Sequence, residues 1–145
     1  MTNHLPEVFS LMIDLDETSG RLFSQETQTM RYMLLLYASE SEAPNFTPEE
    51  QQAIAKEWQS LLKEAKVAGV LLANDGLAPV TSATTVRVRE GKTLTIDGPF
   101  AETHEQFGGY FMLNCQDLDE AIHWATKIPH ARYGSVEIRP LWDQI

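Results

Sequence analysis

The stretch Tyr32-Met33-Leu34-Leu35-Leu36-Tyr37 offers no charged or amide side chain at any position. Successive side chains of a strand point to opposite faces, so Tyr32, Leu34 and Leu36 share one face and Met33, Leu35 and Tyr37 the other. Tyr110-Phe111-Met112-Leu113 repeats the pattern. An antiparallel sheet with one wet face alternates apolar with polar residues, and these strands do not. They need cover on both faces. Only two segments carry helical periodicity, so helices can cover one face and something else must cover the second. A second copy of the chain is the simplest cover, and we expect a homodimer packed sheet to sheet.

Local signals set the element order. Residues 31–38 read as a strand. Thr47-Pro48-Glu49-Glu50 is a helix start, with Thr47 as N-cap, Pro48 at the first position and Glu50 closing a capping box. Ile54, Trp58, Leu61, Leu62 and Ala65 then recur on one face, and Gly69 ends the helix. Residues 70–77 and 84–89 are strands, the second turned by Glu90-Gly91-Lys92 into a partner at 93–97. Residues 109–115 form another strand, with Gly108-Gly109 read as a bulge or close strand entry. Asp117 with Glu120 caps a second helix carrying Leu118, Ala121, Ile122, Ala125 and Ile128, stopped at Pro129. Residues 135–141 are the last strand. The order β-α-β, hairpin, β-α-β predicts an α+β fold: a ferredoxin-like split β-α-β with an extra β-hairpin and both helices on one sheet face.

Residues 1–29 are of different quality: acidic, polar and without a clear period. They read as an N-terminal extension, disordered or a loosely attached helix, or as a leader created by a mis-assigned start, since Met30 would serve as one. Residues 30–145 are the domain.

Between the hairpin and the next strand lies Asp97-Gly98-Pro99-Phe100-Ala101-Glu102-Thr103-His104-Glu105, which packs a turn, an aromatic and three carboxylates into nine residues. Asp-Gly is a strong turn signal, and Pro99 restricts Gly98 further. Phe100 reads as an apolar plug, with Glu102, His104 and Glu105 on a short, helical turn. Two readings stand side by side: a capped, solvated turn, or one wall of a small-molecule site.

This stretch resembles the D-G-P-F-A-E-T-K-E signature of the DGPF branch of the YCII-related proteins, with His104 where Lys is usual. The resemblance runs from Met30 to about Trp142 and takes in Ala68-Gly69-Val70-Leu71-Leu72, Gly108-Gly109-Tyr110, Asp117-Leu118-Asp119-Glu120-Ala121 and Glu137-Ile138-Arg139-Pro140. It implies a dimeric ferredoxin-like α+β barrel. Related barrels resemble lyases, isomerases or dehalogenases acting on small anionic or aromatic compounds. Genes of the family are often found beside those for extracytoplasmic-function sigma factors. YCII-type relatives use a His on the first helix; this chain has none there, and Trp58 lies near the corresponding turn.

Candidate site residues follow. Asp97 is a candidate general base and His104, titrating near neutrality, an acid or proton shuttle; Asp97 alternatively caps its own turn. Glu102 and Glu105 are candidates for a perturbed carboxylate pair, or for turn capping and pairing with Arg139. Arg139 and Glu137 alternate with Val136 and Ile138, which sets them on the face away from the helices. Either Arg139 binds an anionic group oriented by Glu137, or the two make a structural ion pair. Tyr37, Trp58 and Phe100 are the apolar walls of the expected cleft.

Composition narrows the partners. A net charge of -10 and a pI near 4.7 disfavour nucleic acid and anionic membrane surfaces. Cys115 is the only cysteine, so no intrachain disulfide forms; it reads as core filler. No apolar run approaches the ~20 residues of a membrane span. No C-x-x-C, H-E-x-x-H or G-x-G-x-x-G occurs, so neither a metal nor another cofactor is expected. A cytoplasmic location is expected. Two functions compete: a small cofactor-independent enzyme working in a dimer-interface cleft, and a non-catalytic small-molecule-binding or regulatory accessory protein linked to extracytoplasmic-function sigma factor signalling.

Overall fold

The computed structural model describes residues 9–15 and 22–144, with side chains from 28 to 143. In chain order the elements are β1 (Phe9–Leu15), β2 (Leu22–Gln28), β3 (Met30–Ala38), α1 (Pro48–Val67), β4 (Leu71–Gly76), β5 (Thr84–Arg89), β6 (Lys92–Asp97), β7 (Gln106–Cys115), α2 (Leu118–Thr126) and β8 (Ser135–Pro140). Short 3-10 turns at Val80–Ser82, Pro129–Arg132 and Trp142–Gln144 complete the chain.

The central sheet runs β4-β7-β3-β8, all neighbours antiparallel. The two β-α-β units, β3-α1-β4 and β7-α2-β8, therefore interleave, which is the split β-α-β arrangement of a ferredoxin-like α+β fold. The helix ends explain themselves. Thr47 Oγ1 accepts from the Glu50 amide at 3.2 Å while a Glu50 carboxylate oxygen accepts from the Thr47 amide at 2.8 Å, a complete capping box. Gly69, at φ +72°, ends α1. Asp117 accepts from the Glu120 amide at 2.9 Å to start α2.

Both helices lie on one face. Tyr32, Leu34 and Leu36 of β3, Phe111, Leu113 and Cys115 of β7, Leu61 and Ala65 of α1, and Ala121, Trp124 and Ala125 of α2 form the buried core. Leu34 is wholly enclosed. Trp58 stacks on Phe111 with centroids 5.9 Å apart, worth about 1 kcal/mol beyond the area it buries. Met33, Leu35, Tyr37, Tyr110 and Met112 are only half-buried, and the strand alternation turns them to the other face.

β5 and β6 form their own two-stranded sheet. Its turn has Glu90 at φ +51° and Gly91 at φ +73°, the two positive values of a two-residue hairpin turn. At its base the chain closes on itself: the Gly98 amide donates to the Ala83 carbonyl at 2.7 Å, and Thr85 Oγ1 donates to the Gly98 carbonyl at 2.8 Å.

Several local expectations differ from the structure. α2 ends at Thr126 with Lys127 as its C-cap, and Pro129 instead begins a 3-10 turn. No helical turn forms between Gly98 and Glu105: Gly98 sits at φ +99°, and Thr103 Oγ1 donates to the Glu105 carbonyl at 2.6 Å. Within the N-terminal stretch, β1 pairs antiparallel with β2 from Phe9↔Gln28 to Leu15↔Leu22, where disorder or a loose helix was expected. The period-two alternation of Phe9, Leu11, Ile13 and Leu15 is the strand signal there. Residues 1–8 and 16–21 of that stretch lie outside the described residues.

Candidate functional site

A bulge opens the sheet beside its helix-covered face. β3 and β7 pair in register until Leu36↔Gly109, after which Tyr37 pairs with Phe107 and Gly108 is skipped on the β3 side. Gly109 itself is a close approach, since a Cβ there would lie 3.0 Å from the Asp75 carbonyl oxygen. The two glycines place no side chain under α1 at this end. The result is a cavity of about 330 Å³ lined by Leu36, Trp58, Leu62, Asn74, Asp75, Gly76, Gly108, Gly109, Phe111 and His130. Asp75 is opposite Tyr110 in the ladder, and Tyr110 Oη lies 3.5 Å from Asp75 Oδ2, so its carboxylate belongs to the open face. Asn74 is opposite Phe111, and residues directly opposite share a face. That puts the Asn74 amide on the cavity side.

His130 comes from the Pro129–Arg132 turn. Its Nε2 is 2.8 Å from the Tyr37 carbonyl oxygen, and its ring lies against Tyr133 with centroids 5.0 Å apart. Sequence reasoning missed Asn74 and His130. Only the Gly108-Gly109 pair signalled an opening, and it was read as backbone alone.

The Asp97–Glu105 segment arrives at the same end of the sheet by a different route. Glu105 accepts from Ser135 Oγ at 3.1 Å, and Ser135 is the β8 partner of Tyr37. Gln106 splints the segment to the loop after β3, its Oε1 accepting from the Glu40 amide at 2.8 Å. His104 Nε2 lies 3.5 Å from a Glu42 carboxylate oxygen, both side chains largely exposed, a surface pair of little energetic weight. The small hollow shared by Ala38, Ser39, Glu42, Ala43, Pro44, His104, Glu105 and Tyr133 holds about 80 Å³, room for a few waters at ~30 Å³ each.

The other sequence candidates separate. Asp97 is exposed at the end of β6 opposite Thr84, and among the described residues its carboxylate has no hydrogen-bond partner. No hydrogen bond or ion pair joins it to His104 among the described residues. Glu102 is exposed. Phe100, expected as a plug, is 76% exposed, two residues past the neck at Ala83 and Gly98. Arg139 Nε donates to Glu137, and that bond holds the Arg139 guanidinium above its ordinary value. Opposite Met33 and Leu35 respectively, the pair balances its own charge on the face away from the helices. Tyr37 stacks obliquely on Phe107 at 5.5 Å. Of the three expected walls, only Trp58 lines the cavity.

Cys115 is 1% exposed. Burial, followed by the Glu120 and Asp117 carboxylates, pushes its thiol up to about 12, which suits a core filler and not a nucleophile. Among the described residues no cluster of three or more His, Cys, Asp or Glu could hold a metal ion, and no helix is long and apolar enough to cross a membrane.

A family model for the YCII-related domain matches residues 30–145. The chain belongs to the YCII-related family. The match starts where β3 starts, so the β1–β2 hairpin lies before the YCII-related region. An uncharacterised protein (R00369) of Rhizobium meliloti (strain 1021) is 37% identical over 114 residues, covering 77% of this chain and 92% of that protein. Within a YCII-related domain, then, this chain carries an apolar cavity under its first helix with Asn74 and His130 as its polar groups.

Proposed function

We propose that this YCII-related protein binds a small, flat, largely apolar compound in the cavity between α1 and the sheet. The observation that carries the reading is the cavity itself: about 330 Å³, walled by the stacked Trp58 and Phe111 and left open by Gly108 and Gly109. That volume is at the small end of ligand pockets, and roughly 150 Å³ is enough for benzene. Few convergent polar groups on an apolar wall are the usual composition of such sites.

The D-G-P-F-like segment fits the DGPF branch of the family, and we read it as the element that fixes the end of β3 and β8 beside the cavity, through Glu105 and Ser135. A second copy is the proposed cover for Met33, Leu35, Tyr37, Tyr110 and Met112, giving a dimeric barrel. Arg139 and Glu137 would then lie at the interface. The enzyme reading, with Asp97 as base and His104 as proton shuttle, is supported by their shared segment alone; the cavity favours binding.

The test is fluorescence titration with 2-naphthol. Quenching of the Trp58 signal that saturates, and that is lost in Trp58→Phe while the other tryptophans stay unchanged, is the expected result. A linear, non-saturating response in the parent protein would overturn the reading.

A further inference from the structure

We infer that His130 selects the ligand, accepting a hydrogen bond from an acidic hydroxyl, so that the cavity takes a phenol or enol in preference to its ether. The inference rests on the cavity being the binding site. The Tyr37 carbonyl oxygen 2.8 Å from Nε2 can only accept, so Nε2 carries the ring proton. In the neutral imidazole Nδ1 is then an acceptor with a free lone pair. Among the described residues nothing occupies it: the ring's contacts are the Tyr37 carbonyl and the Tyr133 ring.

Gly134 fixes which edge of the ring is spent. A Cβ on Gly134 would fall 2.3 Å from the Tyr37 carbonyl oxygen, 2.7 Å from Nε2 and 2.9 Å from Cδ2 of His130. The Nε2–Cδ2 edge is thus against Gly134 and β3, and the edge bearing Nδ1 is turned away from them. His130 and Asn74 line the same cavity, and the Asn74 side chain has no hydrogen-bond partner among the described residues. One pure acceptor and one amide, set in a wall of Leu36, Trp58, Leu62 and Phe111, match a conjugated body bearing a hydroxyl and an adjacent polar atom. A carboxylate matches the neutral ring poorly, because its Nδ1 has no proton to give.

The pair 2-naphthol and 2-methoxynaphthalene shares the aromatic body and differs in the donor. The parent protein, labelled with 15N at histidine, should bind 2-naphthol about fivefold more tightly, the size of one net hydrogen bond. The His130 Nδ1 resonance should respond to 2-naphthol and stay fixed with the ether. His130→Phe should abolish the preference, and His130→Gln, which keeps an amide donor for the Tyr37 carbonyl, should keep the fold and lose most of the preference along with the ring nitrogen. Equal affinities with an unmoved Nδ1 would overturn the role of His130 and leave the cavity reading standing. Binding of neither compound would overturn both.

Discussion

The imidazole of His130 stands where a side chain on Gly134 would go: a Cβ there would lie 2.7 Å from Nε2. The neighbouring Tyr37 carbonyl would be closer still, at 2.3 Å, and backbone cannot step aside as a side chain can. Gly134→Ala should cost about 1–3 kcal/mol and displace His130. A lower urea midpoint together with a changed His130 ring resonance is the expected outcome.

Leu34 and Phe100 are both large apolar residues with opposite surroundings. Leu34 is wholly enclosed between the sheet and the helices, whereas Phe100 is mostly in water. Leu34→Ala should destabilise by about 2–5 kcal/mol, and Phe100→Ala should stay within about 0.5 kcal/mol. Denaturant unfolding of the two variants side by side checks the contrast.

Alkali should weaken the fold through Cys115. The unfolded thiol ionises near its ordinary 9.0, while the folded one holds its proton to about 12. Between those values the unfolded chain binds fewer protons, so stability falls as pH rises; below the lower value the contribution is fully present. Tyr32, raised chiefly by burial and then by Cys115 and Asp117, acts in the same direction. Cys115→Ala should flatten the decline in unfolding free energy measured across this alkaline range, and the parent thiol should react with a thiol reagent only on unfolding.

Glu90 is the one described non-glycine residue with positive φ. Side chains with a branched or long stem tolerate that region poorly, and asparagine tolerates it well. Glu90→Asn should stabilise the hairpin by about 0.5–1 kcal/mol, read as a raised urea midpoint.

The proposed dimer makes its own demand. Met112→Lys puts a charge in the middle of the open face without touching the core on the other side. Light scattering should report a monomer for the variant and a dimer for the parent, with unchanged circular dichroism.

Local chemistry was the most legible part of the sequence. Thr47, Glu50, Gly69 and Asp117 each announce a helix end within a few residues, and each does in the structure what its type and spacing require. The apolar pattern of β3 and β7 gave the sheet and the side on which the helices lie. What escaped is non-local. Trp58, Asn74 and His130 meet across 72 residues only because the Gly108 bulge, the Tyr37 carbonyl and the space at Gly134 coincide, and no spacing rule carries that coincidence. Phe100 shows the reverse failure: hydrophobicity suggested burial, while the ring is 76% exposed.

The closed neck at the base of the hairpin has an effect beyond the turn itself. The chain leaves the body at Ala83 and returns at Gly98, two residues joined by a hydrogen bond of 2.7 Å. Everything between them is a side branch whose two ends meet, and the entropy of closing a branch grows only slowly with its length. Homologues could lengthen, shorten or replace this arm and the β3-β7 body beneath it would keep its register, which makes residues 84–97 the place where relatives can diverge in shape while sharing one core.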